Sequence, residues 1–154
     1  RELFTIMALK RVVIGCDHGA LQLKDELVAF LTSLKYPVQD VGVHTTDRVD
    51  YPDIAATVCG SVLSGEADAG IVLCGTGIGI SIAANKHHGI RCALCHDHYT
   101  ATLSRQHNDA NVLAIGGRVT GVEVAKELTQ AWLTTDFEGG RHSDRVAKIA
   151  KLEC

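Results

Sequence analysis

One stretch constrains this chain more than any other: GIVLCGTGIGISIAANK, Gly70 to Lys86. Ile71 to Leu73 is a short apolar run without alternating polar positions, the pattern of a strand buried on both faces. The turn Cys74-Gly75-Thr76-Gly77-Ile78-Gly79 follows, and SIAANK continues as a helix. That order leaves N–H groups open at a helix N-terminus, where the dipole also favours negative charge. A thiol beside such amides gains stabilisation as the thiolate that the neutral thiol lacks. A nucleophile or base next to an anion hole is a catalytic arrangement. Two plainer readings compete: Cys is often a small buried hydrophobe, and clustered glycines can simply make a tight turn. Dinucleotide binding fits less well. Gly75, Gly77 and Gly79 give G-x-G-x-G, not G-x-G-x-x-G, and the turn does not follow the first strand.

The flanking sequence repeats strand–helix alternation. Arg11 to Gly15 reads as a first strand, with Cys16-Asp17-His18-Gly19 at its carboxyl end. Leu21, Leu27, Phe30, Leu31 and Leu34 then recur at helical spacing. Val38 to Val41 is a second strand. After a polar loop, Asp50 is placed as the N-cap and Pro52 in the first turn of a helix ending near Gly65. Ile90 to Leu94 is a fourth strand, and the helix after it closes near His107 or Asn108. Asn111 to Ile115 is a fifth strand, turned by Gly116-Gly117. Val122 to Leu133 is an amphipathic helix, and Arg141 begins a last one. Such alternation predicts an α/β protein with right-handed crossovers and a parallel sheet covered on both faces.

At 154 residues the chain reads as a single domain, 1–154. RELFTI, before Met7, reads poorly as a natural start. The net charge of −3 gives a nucleic-acid partner no general electrostatic support, so an anionic substrate would need local arginines. No apolar run approaches the ~20 residues of a membrane span and no export signal is visible. Six cysteines in such a chain point to reduced thiols and a cytoplasmic setting.

Ligands of parallel sheets bind beyond the carboxyl ends of the strands. That rule gathers Asp17 and His18, Cys74 to Gly79, His96 to His98, and Arg118. Asp, His, Cys and Arg around an anion-friendly turn suggest proton transfer on an anionic substrate. Cys92-Ala93-Leu94-Cys95-His96 matches the C-x-x-C-H haem string, and His98 lends it a zinc-like look. It falls in a buried strand with no second ligand pair, so neither metal nor haem is expected. Asp17 as a helix cap, His107 as a helix-end charge and Arg141 with Arg145 as a solvated face are the structural alternatives. His87, His88, His96 and His98 are assigned to structure or surface.

GCDHGA, DYPD, CGTGIGISIAANK, SRQHNDANVLAIGGR and EGGRHSDRV, in order from Arg11 to the end, resemble the ribose/galactose sugar-phosphate isomerase family. The resemblance implies a Rossmann-like three-layer α/β/α sandwich with a five-stranded parallel sheet. It also implies a homodimer or dimer of dimers with shared active sites and no cofactor. The implied reaction interconverts ribose 5-phosphate and ribulose 5-phosphate through an enediolate. Cys74 would be the base, where some members use a Glu from another position. Thr76 would lie near the reacting oxygens, and His107 would open the furanose ring with Asp17 at the same end of the sugar. Asn108, His18, Arg118, Arg141 and Arg145 would bind sugar or phosphate. The amides of Gly75, Gly77, Gly79 and Ser81 are candidates to hold the enediolate oxygens. Alternatives are a six-carbon sugar phosphate (galactose 6-phosphate or allose 6-phosphate), or a non-catalytic sugar-phosphate-binding subunit. Apolar stripes on the Val122–Leu133 helix and the terminal helix are the expected dimer surfaces.

Overall fold

In a computed structural model, residues 8–153 are described, and the RELFTI segment and Cys154 lie outside them. Five strands form one all-parallel sheet: β1 (Val12–Cys16), β2 (Val38–Asp40), β3 (Ala69–Cys74), β4 (Cys92–Leu94) and β5 (Val112–Gly116). Their order is β2-β1-β3-β5-β4. The three central strands are fully buried, which is why they read as continuous apolar runs rather than alternating ones.

Helices cover both faces. α1 (Leu21–Ser33), α4 (His98–Gln106) and α5 (Val122–Thr134) bury Leu27, Leu31, Ala101, Leu128 and Trp132 against one side. α2 (Tyr51–Leu63) and α3 (Ile78–Asn85) bury Val58, Cys59, Ile80 and Ala84 against the other. Each fully buried Leu or Ile contributes roughly 1.5–3 kcal/mol of transfer free energy, so these two apolar layers fix the frame. The apolar stripe of α5 is thus spent on its own core, contrary to its expected place on a dimer surface. α6 (Arg141–Ala150) is different: His142 is its one buried residue, and the helix lies largely in solvent.

Local signals set the boundaries. Asp97 caps α4, its carboxylate accepting from the Thr100 N–H at 2.7 Å. Asp50 occupies the N-cap position of α2 but makes no side-chain cap; its carbonyl instead accepts from the Asp53 N–H. β4 starts at Cys92 rather than Ile90, where its pairing with Val112 of β5 begins, and the Asn85 side-chain amide takes the N–H and the C=O of Cys92 on its other edge. The Lys24 ammonium is wholly buried and bonds both oxygens of Asp40 at 2.7 and 2.9 Å, fastening α1 to the end of β2. No helix among the described residues is long and apolar enough to cross a membrane.

Candidate active site

β1 and β3 lie side by side, and the chain leaves their carboxyl ends toward opposite sides of the sheet. That switch point is where a doubly wound sheet opens a crevice. Asp17 and His18 follow β1 there, and Cys74 ends β3.

The turn after β3 is shaped by contacts that tolerate no side chain. Gly77 has φ +78°, and a Cβ on it would sit 2.6 Å from Leu94 Cδ1 and 2.9 Å from the Gly116 nitrogen. A Cβ on Gly116 would lie 2.5 Å from the Thr76 carbonyl. The backbone is thereby folded back on Cys74, which is 5% exposed, and the Gly77 N–H donates to its Sγ at 3.1 Å. Burial pushes the Cys16 and Cys59 thiols up to about 11 and raises Cys92 and Cys95 as well.

The amides divide into two sets. The Gly77 N–H is engaged by the thiol, and the Ser81 N–H donates to the Gly77 carbonyl at 3.2 Å. The Ser81 hydroxyl turns back to the Ile78 carbonyl at 2.7 Å. These two amides are therefore not open to an oxyanion, which corrects the expectation for Gly77 and Ser81. Among the described residues the N–H groups of Gly75, Thr76 and Gly79 have no partner. They are the open donors, with the exposed Thr76 hydroxyl beside them accepting from Ile78 N–H at 3.2 Å.

Around this turn, Asp17 is buried and accepts from the Gly19 N–H at 2.8 Å, so it does cap the short turn His18–Ala20. The Val49 N–H points at His18 Nδ1 from 3.4 Å. Arg118 packs on Gly75, its N–H donating to the Gly75 carbonyl at 2.9 Å. Beside them opens a cleft of about 540 Å³ lined by Asp17, His18, Arg48, Tyr51 and Asp53. Tyr51 was not singled out by sequence: its ring would lie 2.6 Å from a Cβ on Gly79, so only glycine lets it cover the start of α3.

The remaining candidates form a second group elsewhere. His107 ends α4, its N–H donating to Leu103. The chain then turns into β5, which runs five residues, ~16 Å, to Gly116 beside Cys74. His107 and Asn108 therefore precede the amino end of β5, whereas the thiol lies at its carboxyl end. Arg105 steadies this amino end through Asp109 Oδ1 (2.9 Å) and the carbonyls of Ala110 (2.6 Å) and Thr135 (3.1 Å). The Glu138 N–H donates to Gln106, bringing the next loop and α6 alongside. His142, missed by sequence reasoning, stacks on His107 with ring centroids 4.2 Å apart and planes at 13°. Arg141 and Arg145 stand exposed on the same helix. Desolvation, then the charges of His107 and Arg141, hold His142 below the usual imidazole range, against the pull of Glu138.

The ribose/galactose isomerase profile matches residues 12–149. Ribose-5-phosphate isomerase B of Escherichia coli K12 is 51% identical over 145 residues, 94% of this chain and 97% of that protein. The chain belongs to the ribose/galactose isomerase family. A second member, D-erythrulose-4-phosphate isomerase of Pectobacterium atrosepticum, is 43% identical over 143 residues, 92% of this chain and 94% of that one. The solved structure of Clostridium thermocellum ribose-5-phosphate isomerase B matches with a TM-score of 0.92 at 52% identity. It covers 93% of this chain and 97% of that one. As a ribose/galactose isomerase the chain is an enzyme of the isomerase class, and its α/β fold is the one these relatives share.

The haem-like string takes no such form. Cys92 lies in β4, Cys95 is buried and His96 is exposed. Among the described residues His107, Glu138 and His142 bring three ligand atoms within 4.8 Å. The two rings are nearly parallel, however, so their in-plane lone pairs do not converge on one ion.

Proposed function

We propose that this chain interconverts ribose 5-phosphate and ribulose 5-phosphate by proton transfer through an enediolate. The observation that carries the reading is Cys74 Sγ at the end of β3, held by the Gly77 amide beside the open N–H groups of Gly75, Thr76 and Gly79. The relatives named for the same reaction support it.

In the open-chain aldose, the Cys74 thiolate takes the proton from C2 and returns it to C1. The hydroxyl proton passes from O2 to O1 with the Thr76 hydroxyl alongside. Negative charge appears on the two oxygens only in the transition state and intermediate, where preorganised N–H donors act most strongly. Opening the furanose needs one group to take the hydroxyl proton and another proton delivered to the ring oxygen, and the imidazole of His107 suits both tasks. Asp17 lies at the Cys74 end of this arrangement. His18 and Arg118 on that rim, with Asn108, Arg141 and Arg145 on the other, supply the polar and cationic contacts for sugar and phosphate.

Because those two groups lie toward opposite ends of the strands, we read a complete site as built from two copies, each lending its His107 end to the other's Cys74. The exposure of α6 in a single chain supports the same reading, since its arginines then reach the partner's crevice. We read the enzyme as a homodimer or dimer of dimers, needing no cofactor and working in the cytoplasm.

The test is turnover by the purified chain alone, with ribose 5-phosphate, erythrulose 4-phosphate, allose 6-phosphate and galactose 6-phosphate compared by kcat/KM. Ribose 5-phosphate should lead. Preference for another sugar phosphate overturns the substrate assignment, and no turnover of any overturns the catalytic reading.

A further inference from the structure

His142 has no role in the chemistry so far derived, yet it is the one residue α6 buries, at 4% exposure. Its backbone is fixed by an N–H bond to Gly139, and the preceding loop is tied to Gln106, the neighbour of His107. His107 itself sits at a helix end, where little else among the described residues fixes its ring. From the 4.2 Å stack at 13° we propose that His142 is a positioning residue for His107: its ring is the flat face that sets the plane of the ring-opening imidazole and leaves both nitrogen edges free. The proposal rests on the reading of His107 as the ring-opening group.

The chemistry of the pair fits that task. Proton transfer requires the imidazole nitrogen within hydrogen-bond reach of both sugar oxygens, so a ring free to tumble loses alignment. A stacking partner restrains the plane without occupying either nitrogen, which a hydrogen-bonding partner would do. The groups facing His142 are His107 from α4, Arg141 and Arg145 from α6, and Glu138 from the loop, with His142 Nε2 at 3.8 Å from Glu138 Oε2. Desolvation, then the neighbouring charges, hold His142 below the usual imidazole range, which favours its uncharged ring in the stack.

Three variants test this: His142→Ala, His142→Phe and His107→Ala. Two steps are measured, turnover of cyclic ribose 5-phosphate and solvent exchange of the C1 hydrogen of ribulose 5-phosphate, which uses Cys74 and needs no ring opening. His142→Ala should lower the first by about tenfold or more while leaving exchange within about twofold. His142→Phe, which keeps a flat ring, should restore turnover to within about threefold, and the upfield ring-current shift of the His107 Cε1 proton should persist in it and vanish in the alanine variant. Equal loss in both steps, or no rescue by Phe, overturns the positioning role. If His107→Ala slows ring opening but His142→Ala does not, the proposal falls alone; if His107→Ala leaves it intact, the ring-opening reading falls first.

Discussion

The backbone N–H of Gly77 donates to the thiol of Cys74 at 3.1 Å, so the turn solvates the same group that it delivers to the strand's end. On the proposed reading of Cys74 as the base, the charge of its sulfur is met by a fixed dipole rather than by mobile water.

Replacing Cys74 by Ala should therefore reduce turnover to background while an acyclic phosphorylated sugar acid still binds within a few-fold. The lost interaction belongs to the transition state, not to ground-state binding, and so appears in kcat. Steady-state kinetics beside calorimetric titration checks it, and near-wild-type turnover in the variant ends the thiol-base assignment.

Gly77→Ala should destabilise the fold as well as the site. The new Cβ would meet Leu94 and the Gly116 backbone inside van der Waals contact at a left-handed φ of +78°. Backbone strain plus overpacking of this kind costs ~2–4 kcal/mol. Thermal melts should show Tm lowered by roughly 5–15 °C. Gly60→Ala, inside α2 where a Cβ meets nothing within 4 Å, is the control and should leave Tm unchanged or raise it by a few degrees.

Alkaline stability follows from Cys16 and Cys59. Burial holds both thiols protonated up to about 11, whereas in the unfolded chain they ionise near 9.0. Between those values the native state binds more protons than the unfolded one, so stability present below pH 9 is lost as pH rises toward 11. Urea unfolding at stepped pH should show this decline, and Cys59→Ala should flatten it. An unchanged slope in that variant removes Cys59 as a cause.

Much of the frame is legible in the sequence because its signals are local. Continuous apolar runs mark β1, β3 and β5, and the glycine spacing after Cys74 marks a turn packed against other backbone. The start of β4 depends on its register with β5 and on the Asn85 amide that pairs the outer edge of Cys92, neither of which an apolar run marks. The stack of His142 on His107 and the cover of Tyr51 over Gly79 join residues 35 and 28 positions apart, which no periodicity reports. Nor could the turn's composition say which amides are open. The geometry had to show that Gly77 and Ser81 use theirs internally.

Arg141 and Arg145 share one face of α6, four residues apart and exposed. A guanidinium fork meets phosphate oxygens at two points and stays charged. Each substitution to Ala should lower kcat/KM for ribose 5-phosphate by ~10–100-fold, equivalent to about 1.5–3 kcal/mol for a charge-assisted contact. Unphosphorylated ribose should be a poor substrate whose residual rate barely changes. Equal damage to both sugars would make the arginines structural.

The proposed shared site gives the sharpest test, because two dead enzymes should make a live one. In Cys74→Ala homodimers both sites lack the base, and in His107→Ala homodimers both lack the ring-opening imidazole. A mixed dimer differs. The site that takes Cys74 from the His107→Ala chain takes His107 from the Cys74→Ala chain, so it is whole, while its twin lacks both groups. With random reassortment half of the dimers are mixed and half of their sites are intact, so mixing equal amounts should restore about a quarter of wild-type activity. The restoration should appear only after subunit exchange, verified by mass spectrometry of differently tagged chains, and it should be absent when the mixture is assayed at once. Exchange without any recovery would overturn the shared-site proposal.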